Sequence, residues 1–233
     1  MALPIQSAPT FFCELPSDGT EVKFRPFLVK EQRNLLLTKE DPNQKEITEN
    51  IITLLTACTF EKLDISKLST FDVEYLFLQV RSKSVGETVK LNLPCQKDDT
   101  HPKVELPINL ADISVDKSSM IDNTVMINDE IGMVLKYPTL MESMNISEND
   151  ESQLLDVMKK CIVRIFDNEE VHEMMETPDS EIESFLDGMT IGQLEKVGAF
   201  FTGAPNLSHT VTYKCPECET EQSMTIRGLE NFF

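Results

Sequence analysis

Alternating apolar and polar residues open the chain. Thr10-Phe11-Phe12-Cys13-Glu14-Leu15 and Glu21-Val22-Lys23-Phe24-Arg25-Pro26-Phe27 flank Ser17-Asp18-Gly19 and predict a β-hairpin. Pro26 ends the second strand or holds it at a sheet edge. The period then lengthens. Val29 to Lys39 carries Leu35, Leu36 and Leu37 between charged flanks, with Asp41-Pro42-Asn43 as its stop. Lys45 to Thr59 places Ile47, Ile51, Leu54, Leu55 and Cys58 on one helical face. Phe71 to Lys83 repeats this with Tyr75, Leu76, Leu78 and Val80, behind Thr70 as the expected N-cap.

Strand patterning returns at Thr88–Leu93 and Lys103–Leu106, joined by Cys95-Gln96-Lys97-Asp98. The stretch 110–123 is polar and reads as a loop. A further hairpin is expected from Thr124–Ile127 and Gly132–Tyr137. Pro138-Thr139 then starts a helical half, with amphipathic helices predicted over 150–167, 178–187 and 190–201. Thr139 with Glu142 and Thr190 with Gln193 fit capping boxes, and Thr177-Pro178 marks another helix start. After Gly203-Ala204-Pro205, the runs 210–214 and 223–227 enclose Cys215-Pro216-Glu217-Cys218. The expected class is α+β: antiparallel β-hairpins, two of zinc-ribbon-knuckle type, packed with amphipathic helices. The segments 1–138 and 139–233 divide it softly, and no Pro/Gly/Ser-rich linker separates them, which favours one compact body.

Composition excludes several functions. The 233 residues carry a formal charge of −19, which argues against nucleic acid, because phosphate binding needs a basic patch. The charge is uneven: residues 1–90 hold 13 acids and 11 bases, whereas residues 139–200 hold 15 acids and 4 bases. That acidic half is either a solvated helical surface or a docking face for a basic partner. There is no apolar run long enough for a membrane span and no signal-peptide pattern, so neither is expected. Cys13, Cys58 and Cys161 sit singly in apolar runs and read as buried thiols of a reducing compartment.

Little in the chain suggests catalysis. Gly-rich phosphate loops are absent, and His172 lies in a carboxylate-rich stretch read as a helix surface. Glu148 and Asp150 read as helix-start carboxylates, the methionines (Met141, Met144, Met174, Met175, Met189) as core filler or adaptable surface, and the terminal Phe232-Phe233 as core or partner anchor. The chemical motif is the pair Cys215 and Cys218, which is half of a four-ligand zinc site. Cys95, with His101 or Asp98, completes it if the two knuckle hairpins pack together. Against this, Asp98 stands where a second cysteine is expected and the Cys95-to-His101 spacing is long. The sequence alone favours a relic knuckle that folds without metal over a structural zinc, and either over a redox dithiol, because no helix start follows the pair.

The segments Leu15-Pro16-Ser17-Asp18-Gly19, Phe24 to Glu31, Phe71 to Leu78 and Arg81 to Glu87 are specific when read in order. With the cysteine-bearing hairpins and the ending Gly228-Leu229-x-x-Phe232-Phe233, the chain resembles the baseplate hub subunit and hub-assembly family of T4-like tailed bacteriophages. The resemblance implies a late viral protein that helps build the central hub of the contractile-tail baseplate. It would act as a minor hub subunit or an assembly chaperone, in the host cytoplasm during assembly or in the virion tail baseplate. It implies other hub proteins as partners and supplies no catalytic residues, small-molecule substrate or nucleic acid. A cytosolic zinc-ribbon adaptor and a thiol oxidoreductase using Cys215 and Cys218 are the alternatives. Arg25, Tyr75, Arg81 and Glu87, the polar members of these motifs, read either as interface residues or as an ion pair or cap at the strand-to-helix junction.

Overall fold

A computed structural model describes residues 7–40, 44–118, 122–143 and 151–227, with backbone only at 36–40, 44, 151–154 and 227. The expected stop at Asp41-Pro42-Asn43, the side chains of Leu36, Leu37 and Leu154, the residues Met144, Glu148 and Asp150, and the ending from Gly228 to Phe233 lie outside what is described. The fold is α+β, built from small antiparallel sheets and helices. It divides into two compact units, residues 1–116 with 206–233 and residues 117–205. The sequence pattern suggests a soft break at 138. The division falls elsewhere because β10 (Asn206–Lys214) pairs with both β11 (Glu221–Arg227) and β5 (Ser114–Asp116), returning the end of the chain to the first unit.

The first unit begins with the hairpin β1 (Phe11–Glu14) and β2 (Glu21–Phe24), where Phe11 faces Phe24 in register. Helices α1 (Val29–Glu40), α2 (Gln44–Cys58) and α3 (Thr70–Val85) follow, then β3 (Thr88–Leu93) paired to β4 (Val104–Asn109). α3 does not carry one apolar stripe as its spacing suggested. Leu76, Phe77 and Leu78 are consecutive and all buried, so the helix is enclosed on several faces. Its cap is Ser69 rather than Thr70: Ser69 Oγ accepts from Asp72 N–H at 3.4 Å and donates to Asp72 Oδ2 at 2.6 Å. The other Asp72 oxygen accepts from the Ser17 amide at 2.9 Å, tying the first hairpin turn to the start of α3.

The stretch 110–123 is not all loop. It contains β5, three residues whose partner among the described residues, β10, lies some ninety positions away in sequence, so no local pattern marks it.

The second unit holds the sheet β6 (Thr124–Met126), β7 (Gly132–Leu135), β8 (Ile162–Phe166) and β9 (Val171–Glu173), all antiparallel in that order. Helices α4 (Leu140–Ser143), α5 (Glu151–Cys161), α6 (Asp179–Asp187) and α7 (Ile191–Thr202) complete it. The single helix expected over 150–167 stops at Cys161. Ile162, Ile165 and Phe166 continue the helical spacing, but this β-branched run pairs with β7, and the tertiary pairing wins. His172 accordingly lies on a strand, not on a helix surface. Thr177 does not start α6 either. Pro178 occupies the N-cap position, and the Thr177 hydroxyl donates to Glu173 O. The Thr190–Gln193 capping box forms in full, and Thr139 with Glu142 exchanges both of its bonds. The core gathers Met133, Leu135, Met158, Ile162, Val197 and Phe200, with Tyr137 stacked on Phe200 at 4.5 Å.

Candidate metal centre

The two knuckle hairpins are docked side by side within the first unit. Tyr213 on β10 donates its hydroxyl to Pro94 O at 2.7 Å. Gln96 donates its amide to Gln222 Oε1 at 2.8 Å and its side-chain Nε2 to Ser223 O at 3.0 Å. These bonds bracket Cys95 and hold the tip of β3–β4 against the tip of β10–β11.

The consequence is a cluster of Cys95, His101, Cys215 and Cys218 whose ligand atoms all lie within 4.8 Å of one another. Cys95 Sγ is 3.9 Å from Cys218 Sγ, and Cys215 Sγ is 3.6 Å from His101 Nδ1. Tetrahedral zinc with ordinary Zn–S and Zn–N bonds requires edges of about 3.8 Å between thiolates and about 3.5 Å between thiolate and imidazole. Two edges of the cluster are close to these values, and its full spread of 4.8 Å would have to contract by about 1 Å to hold zinc in a Cys3His site. Cys95 and Cys215 are buried, and Cys218 and His101 are partly exposed. Four protein ligands leave no open position, which is the arrangement of a structural rather than a catalytic zinc.

Each first cysteine sits at the mouth of a turn that aims backbone amides at its sulfur. The N–H groups of Glu217 and Cys218 point at Cys215, and those of Lys97 and Asp98 point at Cys95. The Gln222 amide, helped by these N–H groups and His101, pulls the Cys95 thiol down to about 6. Hydrogen bonds from the Thr220 hydroxyl and amide lower Cys218 as well. His101 is raised, first by its hydrogen bond with Cys95 and then by Cys218 and Asp98, against the opposing effect of burial. Two of the three cluster thiols therefore favour the thiolate, whereas at Cys215 the lowering by the Cys218 and Glu217 amides is outweighed by burial and by hydrogen bonds with the Cys218 and Cys95 side chains, which raise the thiol. The three remaining thiols differ. Desolvation pushes Cys13 up to about 11 and Cys58 and Cys161 up to about 12, which makes them poor nucleophiles. Cys13 is half-buried rather than fully buried.

Asp98 does not replace a ligand so much as keep the turn. Its carboxylate accepts from both the amide and the hydroxyl of Thr100, at 2.9 and 2.7 Å. Asp18 does the same for Thr20, at 2.9 and 2.7 Å. The turns Leu15-Pro16-Ser17-Asp18-Gly19-Thr20, Cys95-Gln96-Lys97-Asp98-Asp99-Thr100 and Cys215-Pro216-Glu217-Cys218-Glu219-Thr220 share one plan. In the first and third, the opening residue pairs its amide with the threonine carbonyl and accepts from the fifth residue, which has positive φ. The fifth residue is Gly19 in one and Glu219 in the other. The first hairpin is thus a third knuckle-like turn, with Leu15 where the others carry cysteine. Its signal is a threonine five positions after the opening residue, a spacing shared by all three turns. In the middle turn the candidate ligand is His101, whose amide donates to Asp98 O at 3.2 Å.

The four segments that carry the family resemblance converge on the junction between hairpin and helices. Arg25 forms a two-pronged pair with Glu31, at 2.8 and 2.9 Å, and both side chains are nearly buried. Glu31 Oε2 also accepts from Leu28 N–H at 2.6 Å, ahead of α1. The Arg25 amide donates to Cys58 O at the end of α2, and Phe27 N–H donates to Ser84 Oγ on α3. Arg25 is therefore an ion pair that fixes the strand-to-helix junction. Glu87 instead pairs with Lys83 at the surface, and Arg81 and Tyr75 are half-buried.

In the second unit a groove of about 290 Å³ lies among Ile131, Ile165, Phe166, Met174, Ile182 and Phe185, with His172 at its side. His172 and Glu170 stand 3.8 Å apart, and Asp167, Thr177 and Glu181 also line the groove. Among the described residues no helix is long and apolar enough to cross a membrane.

The chain belongs to the T4 bacteriophage base plate protein family, which it matches over residues 8–233. No curated protein and no solved structure matches it. Its role is thus structural or in assembly within a phage baseplate, where its partners are other baseplate proteins.

Proposed function

We propose that the protein is a non-enzymatic minor subunit or assembly chaperone of the central hub of the contractile-tail baseplate. It works by protein–protein contact, in the host cytoplasm during assembly, and binds neither nucleic acid nor a small-molecule substrate. The observation that carries this reading is the family match, which spans both units rather than one grafted site. The polar residues of the resembling motifs also support it, because Arg25, Glu31, Asp72 and Ser84 are spent on holding hairpin to helices. Within this body, Cys95, His101, Cys215 and Cys218 hold one structural zinc that staples the two knuckle hairpins. The net charge of −19 suits contact with basic partner surfaces. Tagged protein recovered from infected cells should bring down hub proteins. Recovery without any tail component would remove the hub reading, and the composition of finished tails would separate subunit from chaperone.

A further inference from the structure

We infer that Gln222 and Asp98 are the positioning residues of the metal centre, forming an outer shell that orients Cys95 and His101. The inference rests on the zinc reading above and goes beyond the four ligands.

Gln222 lies on β11 and is buried, with only 6% of its surface exposed. Its carbonyl accepts from Gln96 N–H at 2.8 Å, so the orientation of the amide is set. Its NH2 then points at Cys95 Sγ, at 3.1 Å. A neutral thiol is a weak acceptor, and a buried amide that spends its donor on one gains little. A thiolate on a metal is a strong acceptor, and an N–H at that distance both holds the sulfur and spreads its charge. The placement is therefore explained by a Cys95 thiolate, the form that binds a metal, and poorly by a neutral thiol.

Asp98 stands on the opposite side. The His101 Nδ1 faces Cys215 inside the cluster, while His101 Nε2 faces Asp98 Oδ2, at 3.8 Å. A histidine that binds metal through one nitrogen donates the other N–H to a carboxylate or carbonyl, which selects the tautomer and the ring orientation. Asp98 is in position to accept that N–H after a sub-ångström closure. Its other oxygen is already engaged by Thr100, which keeps the carboxylate in place. The residue at the expected cysteine position thus serves the ligand three positions further on.

The test uses the full chain with Q222E and D98N. The first keeps the acceptor for Gln96 N–H and replaces the donor to Cys95 by an oxygen. The second keeps an acceptor for Thr100 and can turn an amide toward His101. Zinc affinity is read by competition with a chromophoric chelator, and the cobalt(II)-substituted proteins are compared by absorption spectroscopy. Loss of an outer-shell partner lowers metal affinity by about 10- to 100-fold. We expect a loss in that range for both variants. Q222E should also move the thiolate-to-cobalt charge-transfer bands to lower energy, a change that mere loosening of the hairpin does not produce. D98N, at a half-exposed site, should keep the fold and alter the nitrogen chemical shifts of His101. Wild-type affinity and unchanged spectra in both variants would overturn the inference while leaving the zinc reading standing. A wild-type chain that takes up neither zinc nor cobalt would overturn both.

Discussion

The sulfurs of Cys95 and Cys218, 123 positions apart in the sequence, lie 3.9 Å from each other across two docked hairpins. A metal between them acts as a cross-link over a long loop, and its binding energy is folding energy for the unit it closes. Ligand at 1,000 times its dissociation constant adds about 4 kcal/mol, a midpoint shift on the order of 10 °C for a unit of this size. Thermal unfolding in excess chelator should fall by roughly that amount, and C95S or C218S should abolish the difference between the metal-loaded and chelated protein. Equal midpoints with and without chelator would show that the hairpins need no staple.

Arg25 and Glu31 make a pair whose loss should be felt throughout the first unit. Removing one partner of a nearly buried ion pair leaves the other uncompensated, so R25A or E31Q should cost roughly 3 kcal/mol in denaturant unfolding. Burial raises the Glu31 carboxyl, but hydrogen bonds from Arg25 and Leu28 N–H outweigh it and leave the group lowered. A lowered carboxyl contributes stability that is present above its unfolded value near 4.5 and is lost as pH falls through the folded value. The wild type should lose this contribution below about pH 4.5, and E31Q should show a flatter acid limb. A parallel pH dependence in both proteins would count against the assignment.

Ser69 caps α3, so S69A should destabilise by about 1 kcal/mol. D72A should cost more, because it also strands the Ser17 amide of the first turn. Chemical denaturation of the two variants and their double mutant measures the coupling. Strict additivity would mean that cap and turn do not share Asp72.

Gly132 on β7 has no room for a side chain: a Cβ there would collide with the Phe166 ring and stand 2.9 Å from Met126 Sδ. G132A should destabilise the second unit by about 1–3 kcal/mol through overpacking. F166A in the same background should recover part of the loss. Hydrogen exchange in β6–β8 is the readout, and protection equal to wild type in G132A would contradict the packing.

Asp116 and Asn206 are paired partners at the ends of β5 and β10. The second unit leaves and re-enters the first through adjacent antiparallel strand ends. Joining Asp116 to Asn206 by Asn-Gly, a turn suited to such a pair, should give a folded first unit that still binds one metal. Its failure to fold would show that the first unit depends on the second.

Much of this was legible from residue order, and the exceptions have physical causes. Hairpins β1–β2, β3–β4 and β10–β11 and the capping box at Thr190 follow from local patterning. β5 leaves no local signal because a three-residue strand has meaning only beside a distant partner. β8 reads as helix in sequence because Ile162, Ile165 and Phe166 satisfy both periods. At the candidate site, the four ligands could be named from their chemistry, but not their approach to 4.8 Å. That depends on Tyr213, Gln96 and Gln222, whose cross-hairpin bonds leave no mark in either hairpin's own sequence. Asp98 stands where a cysteine is expected, yet beside Asp18 it is the ordinary occupant of the turn.

The metal content of the full chain, purified without chelator, tests the staple most directly. The account predicts about one zinc per chain, tetrahedral with three sulfurs and one nitrogen by X-ray absorption, and absent from the C215S/C218S double variant. Metal-free protein with its three thiols and one histidine at the centre freely alkylated, and with wild-type exchange protection in β3–β4 and β10–β11, would contradict it.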